Sequence, residues 1–248
     1  MGYRIRYDFD TECPAELPGD VNALKSQQRR WAKGSIETAR KLIPVICRSR
    51  QLSVLQKVEA VVHLTSYFVA LLMVILCLLA LPLLWVTIPI SGFWLVAAWV
   101  VIILSSISSC VMYTACGYVL KRPVFSFAQF PAMLVAGTGL CLNNARGVIE
   151  AMLGHKSDFI RTPKSGSTDV KRQQSVYKAH ANTMLGWLEV VFGLYCLGTF
   201  GAYCFDEKYI YGIFIGAYGI GMLTFGWLTL KERFGLFPVR TPSFVIPD

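Results

Sequence analysis

Long apolar segments without charged residues dominate the middle and the end of the chain. No Lys, Arg, Asp or Glu occurs from residue 60 to residue 120, which is room for two membrane-spanning helices of about 20 residues each. Residues 88–92 contain Pro and Gly, which interrupt helices, and the pattern therefore predicts spans at 64–86 and 93–117. Two later apolar segments predict further spans at 183–205 and 209–230.

The apolar segment 125–145 is also long enough to cross a membrane, and the basic residues decide its position. If it does not cross, 23 of the 24 Lys and Arg residues lie on one side, all except Lys208. If it crosses, ten of them move to the other side. The enrichment of Lys and Arg in cytoplasmic loops therefore predicts an amphipathic helix in the cytoplasmic interface, four spans, and both termini in the cytoplasm.

Polar residues of this interface helix share one face. Asn143, Arg146 and Glu150 fall at i, i+3 and i+7. Asn143 and Asn144 could bind a hydroxyl-rich ligand or face lipid head groups, and the sequence does not decide between these. Glu189 is the only charge within a predicted span. Such a carboxylate usually faces the interior of a bundle, where we expect pairing or hydration rather than a place along a polar path.

A polar helix is predicted ahead of the first span, starting at the N-cap Asp20. Gln27, Arg30, Trp31 and Gly34 share one face because they fall at i, i+3, i+4 and i+7. The Arg side chain can bind phosphate oxygens through two parallel hydrogen bonds, and the indole offers a flat apolar surface with one N–H donor. A basic juxtamembrane helix that binds anionic head groups has a similar pattern.

Composition supports an integral membrane protein. The chain is 54% hydrophobic and 16% charged, whereas about 25% of residues are charged in soluble domains. Three His residues show no metal-ligand pattern, and the net charge of +9 is distributed like that of a membrane protein, which argues against nucleic acid as a partner. The eight cysteines contain no C-x-x-C pair and are interpreted as small core or lipid-facing residues. They are Cys13, Cys47, Cys77, Cys110, Cys116, Cys141, Cys196 and Cys204.

The string Gln27-x-x-Arg30-Trp31, just ahead of a membrane domain, resembles the acceptor-site motif (QxxRW) of the membrane-bound family 2 glycosyltransferases. That family includes cellulose synthase and glucomannan 4-beta-mannosyltransferase. Residues 2–7, 12–18 and 31–34 are similar to the end of the family's catalytic domain. The resemblance covers nearly the whole chain but only the family's carboxy-terminal half.

The resemblance implies a mainly α membrane protein preceded by a remnant of an α/β catalytic domain of the GT-A type, which would contain a strand at residues 3–8. Its expected parts are the end of the catalytic domain with the QxxRW helix (1–57), two transmembrane helices (58–120), an interface helix and gating-type loop (121–182), and two transmembrane helices with a short cytoplasmic tail (183–248).

A second motif lies in the loop 158–166. Phe159, Thr162, Lys164 and Gly166 are similar in kind to the family's gating loop, which closes over the bound nucleotide. An ordinary basic linker between membrane helices is the alternative interpretation. The departures from the family's motif are Arg161, Pro163 and the inserted Ser165.

The function implied by the resemblance is inverting transfer of a sugar from a nucleotide-sugar donor to a growing β-linked polysaccharide of the cell wall. Gln27, Arg30 and Trp31 would bind donor or acceptor, with Trp31 at the mouth of the membrane domain. A transferase acting on a membrane lipid or glycolipid acceptor, and a non-enzymatic assembly or channel subunit, are the alternatives. Membrane lipids and a separate catalytic-domain chain are further expected partners, in the plasma (inner) membrane.

The catalytic groups of this reaction are not expected in the chain. Asp8-x-Asp10 and Thr11-Glu12 imitate the family's metal-binding pair and base, but in the family the metal-binding pair comes long before the acceptor motif. We therefore interpret residues 8–12 as a solvated turn, with no catalytic residue and no metal ligand. The complete enzyme would use a divalent cation (Mg or Mn), and we expect this chain to be inactive alone.

Overall fold

The computed structural model describes residues 6–8, 11, 13, 18, 20–86, 91–119, 129–156 and 182–234. These parts are helical and contain no strand. The helices are α1 (Val21–Arg48), α2 (Val54–Thr65), α3 (Phe68–Leu83), α4 (Gly92–Val119), α5 (Phe130–Gly139), α6 (Cys141–Met152), α7 (Thr183–Phe205) and α8 (Tyr209–Phe234).

The polar helix α1 begins as predicted. The side chain of Asp20 accepts a hydrogen bond from Ala23 N (2.6 Å), which satisfies one of the free N–H groups of the first turn. The helix continues through Gly34 and Pro44 to Arg48, so it is longer than the sequence alone indicated. Its buried residues recur every three or four positions, as expected for a helix packed along one face. They are Asn22, Ala23, Lys25, Ala32, Lys33, Ile36 and Ala39.

The first predicted span is a bent pair of helices. A capping box of Ser53 and Gln56 starts α2, and α2 and α3 differ in direction by 59°. Because α3 has 16 residues, it is about 24 Å long, which is shorter than the hydrocarbon core of a bilayer. Part of the crossing must therefore come from the residues around the bend or after Leu83.

The helices α7 and α8 form a closely packed antiparallel pair. A Cβ added at Gly193 would lie 3.1 Å from Gly219 O, and one added at Gly226 would lie 2.9 Å from Gly186 O. The missing side chains let the two backbones approach, as is common between membrane helices. Glu207 adopts a positive φ of 59° in the turn that joins them.

The predicted interface helix is two helices. The apolar α5 packs on α8, where Thr138 Oγ1 donates to Ala217 O (3.3 Å). The amphipathic α6 follows after Leu140 and continues to Met152, so it contains Asn143, Arg146 and Glu150, the residues predicted to share one face.

The prediction of a mainly helical protein with several candidate membrane-spanning helices is confirmed. Within the described residues, α4, α7 and α8 are long and apolar enough to span a membrane, and the number rises to four if the bent pair α2–α3 is counted as one span. The strand predicted at residues 3–8 is not observed at residues 6–8, which are exposed and irregular, while residues 3–5 lie outside the described residues. All eight cysteines are described, and none forms a disulfide, as predicted.

Candidate functional site

The candidate site lies on the exposed face of α1. The side chain of Trp31 is 53% exposed, and nothing lies within 4 Å of a Cβ built at Gly34, one turn further on. Gln27 and Arg30 are partly exposed on the same face. The structure therefore places the predicted residues on one face of α1, with open space beside Gly34 and with Arg30 Nε buried.

This face points away from the helices on which α1 is packed. At 100° per residue, Gln27, Arg30 and Trp31 lie about half a turn from the buried residues Lys25 and Ile36. The indole is thus neither in an apolar core nor directed into the described helix bundle. The expectation that Trp31 sits at the mouth of the membrane domain stays a prediction.

The opposite face of α1 is held by a buried ion pair. Lys25 Nζ donates to Glu189 Oε2 and to Thr229 Oγ1 (2.6 Å to the latter). The side chains of Lys25 and Glu189 are 5% and 0% exposed. Burial lowers the pKa of Lys25 below its ordinary value, and the carboxylate of Glu189 opposes this change. The expected pairing of Glu189 is confirmed, with α1 supplying the partner.

A second carboxylate binds the N-terminus of α1. Val21 N donates to Glu232 Oε1 (2.8 Å), and Asn22 N donates to Glu232 Oε2 (3.2 Å). The Asn22 side chain donates to the same carboxylate. Negative charge is favourable at this end of a helix, where backbone N–H groups lack partners within the helix. Glu232 therefore joins the start of α1 to the last turn of α8.

The polar face of α6 contacts α1. Asn143 Nδ2 donates to Lys25 O (2.9 Å), and Glu150 accepts from Arg29 Nη1 (3.0 and 3.1 Å) and Arg146 Nε (2.8 Å). The predicted shared face is thus present, but Asn143 is 2% exposed and serves neither of the roles left open for it. It bonds to the backbone of a neighbouring helix, which a single sequence does not reveal.

The end of α6 is bound by the middle of α1. Arg40 Nη1 donates to Ala151 O (2.6 Å) and Met152 O (3.3 Å), and Lys33 Nζ donates to His155 O. Cations at a helix C-terminus satisfy carbonyls that lack intrahelical partners and interact favourably with the helix dipole. Together with the ion pairs above, these contacts fix α1 along most of its buried face.

The other residues singled out from the sequence are not part of the site on α1. Phe159, Thr162, Lys164 and Gly166 of the gating-type loop lie outside the described residues, so their role stays a prediction. Asp8 accepts a hydrogen bond from Thr11 Oγ1 (2.6 Å) in an exposed segment, as expected for a solvated turn. Nowhere in the described ranges do three His, Cys, Asp or Glu side chains come close enough to hold a metal ion.

The sequence did not identify the residues whose contacts hold α1 in place. It singled out Glu189 and Glu150 as charges that need an environment, but it did not name Lys25 and Arg29 as their partners. A signal was present, because Asn22, Lys25 and Arg29 follow one another at helical spacing on the face opposite Trp31. A polar stripe on each side of one helix indicates two different uses of its two faces.

Comparisons with known proteins add no identification. No protein-family model, no curated protein and no solved structure matches this chain. The function must therefore be inferred from the exposed face of α1 and from the contacts that hold it in place.

Proposed function

We propose that this chain is the membrane-embedded, acceptor-binding half of an inverting family 2 glycosyltransferase that extends a β-linked polysaccharide from a nucleotide-sugar donor. One observation carries the proposal. The exposed Trp31 and the half-buried Gln27 and Arg30 share one face of a helix whose opposite face is held by the buried Lys25–Glu189 pair. An outward-facing group on a fixed support suits a ligand that must be held in one orientation.

The chemistry of the face fits a carbohydrate. A half-exposed indole can stack on the apolar face of a sugar ring, and the Gln27 amide can donate to and accept from hydroxyl groups. Arg30 can neutralise a diphosphate. The open space beside Gly34 leaves room for a ring next to Trp31. Polar neighbours on this side of α1, such as Gln28 and Thr38, argue against a face that is immersed in lipid.

The contacts that fix α1 on the other helices support the same proposal. A transferase that extends a polymer must hold the acceptor hydroxyl close to the donor carbon, and small displacements reduce the rate strongly. Contacts from Glu232, Glu189 and Glu150 reach α1 at successive turns of the helix. Such multiple attachment limits the movement of Trp31 relative to the membrane helices.

The base and the metal site belong to another part of the enzyme in this proposal. Inverting transfer needs a carboxylate base and a divalent cation that offsets the charge of the leaving diphosphate. The described residues offer no cluster suited to that cation. We assign both functions to an α/β domain, on the same or a separate chain, and expect no sugar transfer by residues 1–248 alone.

The topology in this proposal is four spans with both termini in the cytoplasm of the plasma (inner) membrane. The bent pair α2–α3 counts as the first span, and α4, α7 and α8 are the others. This arrangement would place 23 of the 24 basic residues on one side, as the enrichment of Lys and Arg in cytoplasmic loops favours.

Oligosaccharide binding tests the proposal directly. The full chain in nanodiscs should bind cellotetraose or a β-1,4-linked mannotetraose, measured by saturation-transfer NMR. Trp31→Ala should weaken binding about tenfold because it removes the stacking surface. Trp187→Ala is the matched control, since Trp187 is also 53% exposed but lies on the membrane helix α7. Equal binding by the two variants would contradict the acceptor role.

A lipid acceptor is the second candidate, because an apolar groove lined by Ile36, Ile43 and Phe68 lies along the buried side of the same helix. The complete enzyme distinguishes the two candidates by its product. A radiolabelled product that partitions into organic solvent indicates a lipid acceptor, whereas an insoluble or high-mass polymer indicates polysaccharide synthesis. A non-enzymatic subunit would give neither product in the presence of the catalytic domain.

A further inference from the structure

Two cavities of opposite character lie along the contact between α1 and α6. The basic pocket, of about 340 Å³, is lined by Arg29, Lys33, Glu150, His155 and Lys156. The apolar groove, of about 430 Å³, begins one turn further along α1. Its lining residues are Ile36, Ala39, Arg40, Ile43, Pro44, Thr65, Phe68 and Met152.

The basic pocket carries an excess of positive charge. Its one carboxylate, Glu150, is paired with both Arg29 and Arg146. Lys33 and Lys156 add two further cations, of which Lys33 also pairs with Glu37 Oε1 (3.9 Å) outside the pocket lining. The side chain of Lys33 is 8% exposed, so one of these charges is largely removed from water. Lys156 is exposed and makes no ion pair with any described residue. This combination favours a ligand with a compact negative charge.

The apolar groove lies where a membrane helix begins. Phe68 is the first residue of α3, and Met152 is the last residue of α6, only two positions after Glu150 of the basic pocket. Arg40 lines the groove while it caps the end of α6. The two cavities thus lie at the same end of α6, with the apolar groove beside the start of α3.

The adjoining helix α2 supports contact with lipid at this level. Its exposed apolar side chains Val54, Leu55, Val58 and Val62 form a stripe at helical spacing, and the 59° bend turns α2 away from the direction of α3. An apolar stripe of this kind is expected to contact lipid where the bent pair α2–α3 enters the bilayer.

We propose that the contact between α1 and α6 binds a membrane lipid with an anionic phosphate head group. The phosphate occupies the basic pocket, and an acyl chain lies in the apolar groove. A soluble phosphate compound would use the pocket but leave the groove empty, and therefore the pair of cavities favours a lipid. The site lies on the side of α1 opposite Trp31 and does not depend on sugar transfer.

The test measures lipid retained by the full chain in native mass spectrometry after exchange into nanodiscs of phosphatidylglycerol or phosphatidylcholine. Lys156→Gln should reduce retained phosphatidylglycerol roughly fivefold. Lys41→Gln removes the same charge from an exposed position of α1 outside both cavities and should retain as much as the unchanged chain. Neither exposed lysine contributes to the core, so both variants are expected to fold, as circular dichroism will check.

Two further measurements separate a lipid from other sources of phosphate. Ile43→Gln should reduce retention of phosphatidylglycerol as well, because it places a polar group in the apolar groove. Millimolar sodium pyrophosphate should not displace the retained lipid. Equal retention by Lys156→Gln and Lys41→Gln, or release of the lipid by pyrophosphate, would overturn the proposal.

Discussion

Lys25 and Glu189 form a buried ion pair between α1 and α7, although they are 164 positions apart in the chain. The pair explains how a polar helix can pack on an apolar bundle. Each charge would be unfavourable alone in this place, and Thr229 and Asn143 provide further hydrogen bonds around it. The position of the Gln27–Trp31 face therefore depends on residues that do not belong to that face.

Breaking this pair is expected to destabilise the chain. Glu189→Leu or Lys25→Met leaves one buried charge without its partner and should each lower the free energy of unfolding by about 3–5 kcal/mol. The double variant should lose clearly less than the sum, because both charges are then absent. Denaturant unfolding in detergent, followed by circular dichroism, measures the three values. Additive losses would indicate that the two side chains do not interact.

The close approach of α1 and α6 gives a second prediction. A Cβ at Gly147 would lie 2.8 Å from Arg29 O, so Gly147→Ala must separate the two helices and should cost about 1–3 kcal/mol. Gly137→Ala is the matched control, since nothing lies within 4 Å of a Cβ there and alanine favours a helix by roughly 1 kcal/mol. Thermal unfolding of both variants tests the difference. A stable Gly147→Ala would argue against this helix contact.

Acceptor stacking predicts a selective loss in the complete enzyme. Trp31→Ala should reduce polymer extension by about tenfold or more while hydrolysis of the nucleotide-sugar donor changes little, because water needs no stacking surface. Both rates are measured on the same preparation. Equal losses in extension and hydrolysis would assign Trp31 a structural or donor-binding role.

The gating-type loop gives a prediction that rests on sequence alone. Lys164→Ala should weaken inhibition of the complete enzyme by the free nucleoside diphosphate, since a cation that closes over the diphosphate would be lost. Lys171→Ala, which also lies between α6 and α7 but outside the motif, serves as the control. Unchanged inhibition in Lys164→Ala would favour an ordinary linker.

The sequence predicted the membrane helices well where charge marks their ends. The span 183–205 matches α7 at both ends, because Asn182 caps it and Asp206 and Glu207 follow it. The last predicted span, 209–230, begins where α8 begins. The helix continues past the span to Phe234, and this extension contains Glu232, which binds α1.

The sequence alone could not predict which residues pair with one another between helices. Helical spacing identified the Gln27–Trp31 face because its members are neighbours in one helix. It could mark Glu189 as a charge in need of a partner, but several cations of α1 were equally available, and only the packing of α1 against α7 selects Lys25. Helical spacing thus predicted the Gln27–Trp31 face, whereas the residues that hold α1 in place could be identified only from contacts in the three-dimensional structure.

The attachment of Val21 and Asn22 to Glu232 has a consequence for biosynthesis. On a ribosome, α1 emerges long before the helix that carries its anchoring carboxylate. The contacts of α1 with α6 and α7 can form earlier, but its attachment to Glu232 and Thr229 requires the last hydrophobic segment. Fixing of the first turn of α1 is therefore expected to be a late, post-insertion step, and truncations before α8 should leave this end of the helix accessible to proteases.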